Sequence, residues 1–348
     1  MNKKISVVIL NWNGASLLEQ FLPSVIRYSP ETVADVIVAD NGSTDNSLDL
    51  LRKKFPGVGI IQFEKNHGFA EGYNKALSRI ETPFAVLLNS DIEVTEGWLD
   101  APLQLLEKHP DVACVQPKIC SWSDKGSFEY AGAAGGFIDK YGYPFCRGRI
   151  FSTVERDCGQ YDSEAEIVWA SGASLFVRTD VYRDMGGLDA TFFAHQEEID
   201  LCWRIRNCGW RILFTHKSVV YHLGGGTLNA DNPHKTWLNF RNNLLMLYKN
   251  LPEKELDRVL FVRFWLDYLA AFKFFLRGQL KNALAVYKAR SAFRKLKPEY
   301  ALIRRKQFAV SDFVSGIFRG SILFYYYLKG KKRFTLLPSD LYKNEEAD

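Results

Sequence analysis

Short apolar runs alternate with amphipathic stretches through the first third of the chain. Five apolar runs predict β-strands, at residues 5–10, 35–39, 59–63, 84–88 and 112–116. Between them, apolar residues at helical spacing predict helices at 15–27, 45–55, 69–79 and 96–108. The strands are apolar on both faces, which is typical of a parallel sheet covered by helices on its two sides. The pattern therefore predicts an α/β fold with a mostly parallel central sheet.

Polar segments follow three of these predicted strands. They are residues 11–14, 40–45 and 89–91. Ligands of open α/β sheets bind beyond the carboxyl ends of the strands, so these segments are expected to line one crevice. Asp40 is placed to accept a hydrogen bond from a ribose or a base; the alternative is that the segment is only a turn and helix cap. No GxGxxG or GxxxxGK[ST] motif follows the first strand, which disfavours a dinucleotide or P-loop site.

Carboxylates are concentrated near residue 200, at the start of a predicted amphipathic helix. Asp200 and Arg204 are four residues apart and are therefore neighbours on one helical face. We expect Asp200 to hold Arg204 and to leave one of the preceding glutamates, Glu197 or Glu198, free as a general base. Asp91 is a candidate ligand of a hard divalent cation that shares its site with phosphate oxygens; the alternative is a helix-start residue.

Composition indicates a globular chain, since 47% of its 348 residues are hydrophobic and 24% are charged. Residues 1–228 carry 22 Lys+Arg and 29 Asp+Glu (net −7), whereas residues 229–348 carry 23 and 11 (net +12). We therefore expect a catalytic domain at 1–228, followed by a basic, aromatic-rich helical region at 229–348 that faces an anionic partner. Six cysteines without a CxxC pair favour a reducing, cytoplasmic compartment. The first apolar run is too short for a signal peptide.

The C-terminal region predicts helices between residues 253 and 336. Its most apolar stretches, 259–276 and 313–328, both contain charged residues. Neither offers the ~18–20 uncharged apolar residues of a membrane-spanning helix. Aromatic residues beside Lys and Arg are typical of helices that lie on an anionic membrane; the alternative is a helical subdomain with a solvated basic face. No nucleic-acid-binding motif is present, so nucleic acid is not an expected partner.

Five motifs, taken in order, resemble the family 2 inverting glycosyltransferases of the GT-A fold, and within them the bacterial rhamnosyltransferase-type enzymes of surface polysaccharide assembly. The motifs are SVVILNWNG at 6–14, VADNGSTD at 38–45, NHGFAEGYN at 66–74, LLNSD at 87–91 and EEIDLCWR at 197–204. The resemblance covers about residues 4–250. It implies a GT-A domain that moves a sugar from dTDP-rhamnose or a UDP-sugar to a glycan or polyprenyl-diphosphate-linked glycan. It further implies Mn²⁺ or Mg²⁺ as cofactor and action at the inner face of the cytoplasmic membrane.

The resemblance also implies roles for the acidic residues. Asp91 matches the last aspartate of the family's metal-binding DxD motif, with Asn89 in place of the first, and His222 matches a histidine that completes the metal site. Glu198 matches the second residue of the family's Glu-Asp pair and is the expected base. The predicted catalytic residues are Glu197, Glu198 and Asp200. The alternative for His222 is a strand-end histidine bonded to a backbone carbonyl.

The predicted nucleotide-sugar site draws on several segments of the chain. Its residues are Asn11, Asn13, Asp40, Asn41, Ser43, Asn66, Gly68, Asn74, Asn89, Ser90, Trp169, Gly172 and Arg241. By resemblance, Asn74 lines the nucleoside pocket, Trp169 lies along the donor sugar and acceptor, and Arg241 contacts the diphosphate. The alternatives are a small-residue strand packed under the helix for residues 169–174 and a solvated side chain for Arg241.

Two other functions share this architecture. A sugar-phosphate nucleotidylyltransferase needs a Gly-rich, Arg-containing loop after the first strand, and residues 11–14 (NWNG) do not provide one. A catalytically silent GT-A-fold partner or scaffold is disfavoured because Asp40, Asp91, Glu198 and His222 are all present.

Overall fold

The computed structural model describes residues 3–224, 232–306 and 315–342. In chain order, the elements up to residue 121 are β1 (Ile5–Asn11), α1 (Ala15–Tyr28), β2 (Ala34–Asp40), α2 (Ser47–Lys54), β3 (Gly59–Gln62), α3 (Gly68–Leu77), β4 (Phe84–Asn89), β5 (Ile92–Val94), α4 (Asp100–Lys108) and β6 (Val112–Ser121). The later elements are β7 (Gly136–Ile138), β8 (Pro144–Cys146), β9 (Arg149–Ile150), β10 (Thr153–Val154), β11 (Ala165–Glu166), β12 (Ser174–Arg178), α5 (Thr179–Asp184), α6 (Glu197–Asn207), β13 (Arg211–His222), α7 (Pro233–Asn250), α8 (Glu253–Leu276) and α9 (Leu280–Lys306).

The central sheet of the described chain has nine strands and is mostly parallel, as the sequence predicts. Its order is β11-β13-β6-β12-β4-β1-β2-β3, with β5 paired to β13. Strands β1 to β4 run parallel, whereas β12 lies antiparallel between β4 and β6. A second, four-stranded antiparallel sheet contains β7 to β10. Strand β12 (Ser-Leu-Phe-Val-Arg) was not predicted from the sequence.

Hydrophobic clusters fill both faces of the central sheet. Along β4, Ala85 and Leu87 belong to one cluster and Val86 and Leu88 to the other, and all four are fully buried. Side chains of α1, α2 and α4 complete the second cluster, while α3, α5, α6 and α7 complete the first. The strands read as continuous apolar runs because both of their faces are covered.

The predicted helices are present with adjusted ends. The helix expected at 96–108 begins at Asp100, since Gly97 adopts a left-handed φ of 70° within a turn. The helix expected at 313–328 is present in its described part only over residues 322–328, where Phe324–Leu328 form a π-helix. Before it, the backbone of Phe318 donates to Ile138 at the end of β7 and accepts from Lys140. Residues 313–314 of that prediction, and the proposed boundary at 228/229, lie outside the described residues.

The C-terminal helices pack beside the catalytic layers. Helix α7 lies against α6, and α8 and α9 form an antiparallel pair that packs on α7. Within the described ranges, no helix combines the length and the apolar character that crossing a bilayer requires.

Candidate active site

The carboxyl ends of three neighbouring strands define one edge of the sheet. In the β1–β2 pair Asn11 is opposite Asp40, and in the β1–β4 pair Leu10 is opposite Asn89. The polar segments that follow these strands therefore meet at one edge, as the sequence predicts for an open α/β sheet. The crevice at this edge is the candidate active site.

Asp40 is a buried residue at this edge of the sheet that joins two loops by hydrogen bonds. It is fully buried, and its carboxylate accepts from the Asn11 side-chain amide (3.2 Å) and from the backbone N–H of Ser43 (3.1 Å). The Asn11 amide also lies 3.2 Å from the Ser43 hydroxyl. The expectation that Asp40 contacts a ribose or base stays a prediction, and each carboxylate oxygen holds one of the two hydrogen bonds that join the loops. The turn interpretation describes the observed geometry.

The solvent-facing part of this edge is the loop after β1. Asn13 is exposed at a φ of 52°, and its side-chain oxygen accepts from the backbone N–H of Thr44 at 2.7 Å. The backbone N–H of Asn13 donates to the Ser43 hydroxyl at 2.9 Å. Next to it, the ring of Trp12 is 53% exposed. The loop is therefore fixed by hydrogen bonds while it presents an aromatic face on which a planar base can stack.

A second loop is held by Asn41. Its side-chain amide donates to Asn66 and to the carbonyl of Gly68, both at 3.0 Å, and its oxygen accepts from the backbone of His67. Gly68 has a φ of 80°, and a Cβ there would lie 2.5 Å from the ring of Phe193. Asn41 and Asn66 are thus occupied in shaping the loop, and Gly68 is needed because the loop closes against Phe193.

Asn74 lies outside the crevice, contrary to the sequence prediction. Its side-chain oxygen accepts from the hydroxyl of Tyr182 (2.7 Å) and the backbone N–H of Leu188 (2.9 Å), and its amide donates to the carbonyl of Leu188 (2.7 Å). All of its hydrogen-bonding groups hold the turn at Gly187. Asn74 therefore positions the chain that leads to α6.

The candidate metal ligands converge at the end of β4. His222 Nε2 lies 3.2 Å from Asp91 Oδ1 and 3.4 Å from the Asn89 amide, and Ser90 separates these two residues in the chain. Nδ1 of the same ring is 3.2 Å from a carboxylate oxygen of Glu129, although not aligned as a hydrogen bond. Burial opposes protonation, yet the two carboxylates raise the pKa of His222 to about 10. Burial likewise opposes ionisation of Asp91, but His222 holds the pKa of Asp91 below its usual range.

These side chains suit a divalent cation whose remaining ligands come from elsewhere. Atoms 3.2 Å apart have the spacing of two adjacent ligands on one ion with bonds of about 2.1 Å. A carboxylate beside the second ring nitrogen is the usual arrangement around a metal-bound histidine, and Glu129 supplies it. Among the described residues, no group of three or more His, Cys, Asp or Glu side chains is arranged to hold an ion alone. Phosphate oxygens and water would have to complete the coordination.

At the start of α6, Glu197 is buried and Glu198 is half-buried. Burial raises the pKa of Glu198 to about 7, although backbone N–H groups of the first turn oppose the shift. Burial and the neighbouring Glu198 raise the pKa of Glu197 well above its usual range. Neither Oε2 atom finds a hydrogen-bond partner within the described chain. A carboxyl group with a pKa near 7 is poised to take up a proton at neutral pH.

Gly172 and Ala173 lie between the start of α6, which carries Glu198, and the end of β4, where the candidate metal ligands lie. A Cβ at Gly172 would lie 3.6 Å from the Cβ of Glu198. The carbonyl of the next residue, Ala173, accepts from the backbone of Asn89 at 3.0 Å. Trp169 is not in the crevice, which corrects the prediction: it is buried, donates to the carbonyl of Phe137 at 2.9 Å and packs flat on Gly136. The alternative prediction was that residues 169–174 pack beneath helix α6. It holds for Ala170, whose backbone N–H donates to the sulfur of Cys202 in that helix.

The loop before α6 carries backbone strain. Phe193, His195 and Gln196 have φ values of 64°, 70° and 70°, a region that non-glycine residues rarely adopt. Such conformations cost about 1–3 kcal/mol each and persist only where surrounding contacts impose them. The loop therefore needs a support outside its own sequence.

Helix α7 supplies that support. The side-chain amide of Asn242 donates to the carbonyls of residues 192, 194 and 195, at 3.0, 3.0 and 2.8 Å. Arg241 donates to the carbonyls of residues 191 and 192 and stacks on the ring of Trp237. Arg241 is buried, so neither the predicted diphosphate contact nor the solvated alternative describes it. We call Arg241, Asn242 and Asn243 the α7 clamp, since Asn243 also bonds Gln196 at 2.8 Å.

Asp200 serves the scaffold, not the chemistry. It is fully buried and accepts from Arg204 Nε (2.9 Å), Lys249 Nζ (2.7 Å) and the Asn250 amide (2.8 Å). The expected Asp200–Arg204 pair is present, but the inclusion of Asp200 among the catalytic residues needs correction because its carboxylate is fully engaged. It ties α6 to α7.

Glu129 was not predicted from the sequence, whereas the Arg241-Asn242 pair was expected near the diphosphate by resemblance and instead supports the loop before α6. Glu129 is separated from His222 by 93 positions, and no motif marks it.

Comparison with known proteins agrees with this architecture. Residues 6–152 match the family model for Glycosyl transferase family 2. Over 240 residues the chain is 25% identical to an N-acetylglucosaminyl-diphospho-decaprenol L-rhamnosyltransferase of Mycobacterium tuberculosis, covering 64% of this chain and 76% of the relative.

Solved structures show the same fold. GalNAc-T7 with UDP, GalNAc and Mn²⁺ superposes with a TM-score of 0.59 at 15% identity, over 94% of this chain and 57% of that one. Staphylococcus aureus TarS 1–349 in complex with UDP-GlcNAc superposes with a TM-score of 0.55 at 17% identity, over 87% and 88%. The chain therefore has the fold of the GT-A glycosyltransferases, matches the family 2 model over residues 6–152 and is similar to a rhamnosyltransferase over about two thirds of its length.

Proposed function

We propose that this enzyme transfers a sugar from a nucleoside diphosphate sugar, dTDP-rhamnose or a UDP-sugar, to a glycan or lipid-linked glycan in cell-surface polysaccharide assembly. The donor class is supported by the rhamnosyltransferase relative, whose name specifies a polyprenyl-diphosphate-linked acceptor, and by the UDP-GlcNAc complex of TarS. We place the reaction at the inner face of the cytoplasmic membrane, where such an acceptor is available.

The observation that carries the proposal is the pairing of Glu198 with the Asp91–His222 group across one crevice. Glu198 has a pKa near 7, and Gly172 leaves room beside it. On the other side, Asp91 and His222 present an oxygen and a nitrogen 3.2 Å apart. A base on one side and charge-stabilising groups on the other are what a single displacement at a sugar carbon requires.

The reaction follows from these positions. Ionised Glu198 accepts the proton of the acceptor hydroxyl as its oxygen bonds to the anomeric carbon. The bond from that carbon to the nucleoside diphosphate breaks on the opposite face, so the configuration inverts. Asp91 and His222 would hold Mn²⁺ or Mg²⁺, and the bound ion would neutralise charge on the departing diphosphate. Trp12 is placed to stack on the nucleotide base.

Nucleotide binding tests the donor site directly. Thermal unfolding is measured with UDP, dTDP, GDP and CDP, each with and without Mn²⁺, for the native protein, Asp91→Asn and the exposed control Asp49→Asn. A ligand at 100 times its dissociation constant stabilises the native state by about 2.7 kcal/mol. We expect a metal-dependent shift with one nucleotide that Asp49→Asn keeps and Asp91→Asn loses.

The chemistry is tested separately from binding. Glu198→Gln is expected to keep the nucleotide shift and to lose sugar transfer, because only the base is changed. NMR of the product reports whether the anomeric configuration is inverted. No shift with any nucleotide would contradict the proposal and favour a catalytically silent partner. Retained configuration would contradict the single displacement.

A further inference from the structure

Helix α8 buries two charged side chains in its middle and exposes large apolar ones. Its buried side chains include Arg263 and Asp267, which are 2% and 0% exposed. Arg263 donates to Asp267 at 3.0 Å and to the carbonyl of Tyr141 at 2.8 Å, and Arg290 of α9 pairs with the same aspartate. This ion-pair group lies on the side of α8 that faces the protein, whereas an ordinary surface helix turns its charged side chains outward.

The outward side of α8 is apolar and continues onto α9. Its members are 51–68% exposed large side chains spaced three or four residues apart along each helix, so they form one stripe per helix. They are Phe261, Trp265, Leu269, Phe272, Phe275, Leu276, Leu280, Leu284 and Tyr287. We call this set the α8–α9 patch. An exposed apolar surface of this extent marks an interaction site.

The charge around the patch identifies the partner. Residues 268–298 contain eight Lys or Arg and no Asp or Glu. Lys273, Arg277, Lys281 and Lys288 are exposed among the apolar side chains. Aromatic and aliphatic side chains mixed with cations match the boundary between acyl chains and anionic headgroups. A second copy of the chain is a poor match, because a symmetric contact would oppose these like charges.

We propose that the α8–α9 patch docks the enzyme onto an anionic lipid bilayer as an interfacial surface. The inference deepens the proposed function, since a lipid-linked acceptor lies in such a bilayer, but it is argued from residues outside the active site. The aromatic side chains enter the headgroup region and the four cations contact lipid phosphates.

Vesicle flotation tests the surface with the full chain. Binding is measured to phosphatidylcholine vesicles with and without phosphatidylglycerol, for the native protein, Trp265→Ser/Phe272→Ser, Lys281→Gln/Lys288→Gln and the control Leu302→Ser. Leu302 is 59% exposed on the same helix as Leu280 but about 33 Å further along it, at 1.5 Å per residue. The native protein and Leu302→Ser should float with phosphatidylglycerol vesicles. The aromatic variant should lose at least about tenfold in partitioning, and the lysine variant should lose the preference for phosphatidylglycerol.

Three results would overturn the inference. They are no flotation of the native protein, equal flotation of the aromatic variant, or a native dimer that the aromatic variant converts to a monomer. Thermal unfolding of the variants checks that they fold, since exposed side chains contribute little to the core. Nucleotide binding in the same preparations separates the two proposals. A protein that binds nucleotide but not vesicles refutes only the docking surface.

Discussion

Replacing Glu198 with glutamine should abolish transfer and stabilise the protein above neutral pH. The pKa of Glu198 is about 7 in the folded protein, against an ordinary value of 4.5. The folded state therefore binds this proton more tightly than the unfolded chain does. The stability associated with Glu198 is complete below about pH 4.5 and is lost as the pH rises to about 7, where the carboxylate must ionise in a buried site.

The magnitude follows from the difference between the two pKa values. At 1.36 kcal/mol for each tenfold change, it corresponds to about 3 kcal/mol above pH 7. This is an upper value, because Glu198 is only partly buried and interacts with Glu197. We expect Glu198→Gln to gain roughly 1–2 kcal/mol at about pH 8 and almost nothing at about pH 4.5.

Urea unfolding at both pH values measures this gain, with the exposed Glu81→Gln as the matched control. The control should change by less than about 0.5 kcal/mol at either pH. The native enzyme should also gain transfer activity as the pH rises through about 7, since only ionised Glu198 accepts a proton. A variant that is equally stable, or less stable, at the higher pH would refute the assignment of Glu198 as a destabilised buried carboxyl group.

Three further substitutions test the scaffold of the site. Asp200→Asn should cost about 3 kcal/mol in urea unfolding because it weakens a buried ion-pair group, while the folded fraction keeps nucleotide binding. Gly68→Ala should cost about 1–3 kcal/mol, whereas Gly57→Ala, with open space around it, should be neutral in the same assay. Asn242→Ala should lower kcat by at least about tenfold at unchanged nucleotide affinity, whereas Asn239→Ala on the same helix should not.

The strand ends show how far sequence reasoning reaches. Apolar runs with polar ends predict the parallel strands and the edge at which they meet, since burial on both faces leaves a direct pattern in the sequence. The family resemblance, and not this pattern, groups His222 with Asp91 and Asn89, and their metal role stays a prediction. The pattern cannot show which polar side chains form hydrogen bonds with other parts of the protein and which face a ligand. Asp40 and Asn74 look like ligand-binding residues in the sequence, but their hydrogen bonds are internal.

For the C-terminal helices, the sequence predicts the secondary structure but not the orientation of the helices. Their basic, aromatic composition predicts a helical region, yet composition cannot say which side chains face inward. Ion pairing reverses the usual expectation in α8, because Arg263 and Asp267 satisfy each other beneath Tyr141 and release the aromatic side to solvent. The sequence shows this pair, four residues apart within an aromatic helix. It does not show whether the pair faces the protein or the solvent.

The α7 clamp and the helix that carries the α8–α9 patch are joined by hydrogen bonds. Arg263 of α8 donates to the side-chain oxygen of Asn243, and the amide of Asn243 donates to Gln196 at the start of α6. Two side-chain hydrogen bonds thus connect the helix that we assign to the membrane with the helix that carries Glu198. The strained loop before Glu198 is supported by α7, which lies beyond the domain boundary predicted from charge. Helix α7 of the basic region therefore supports the loop that positions Glu198.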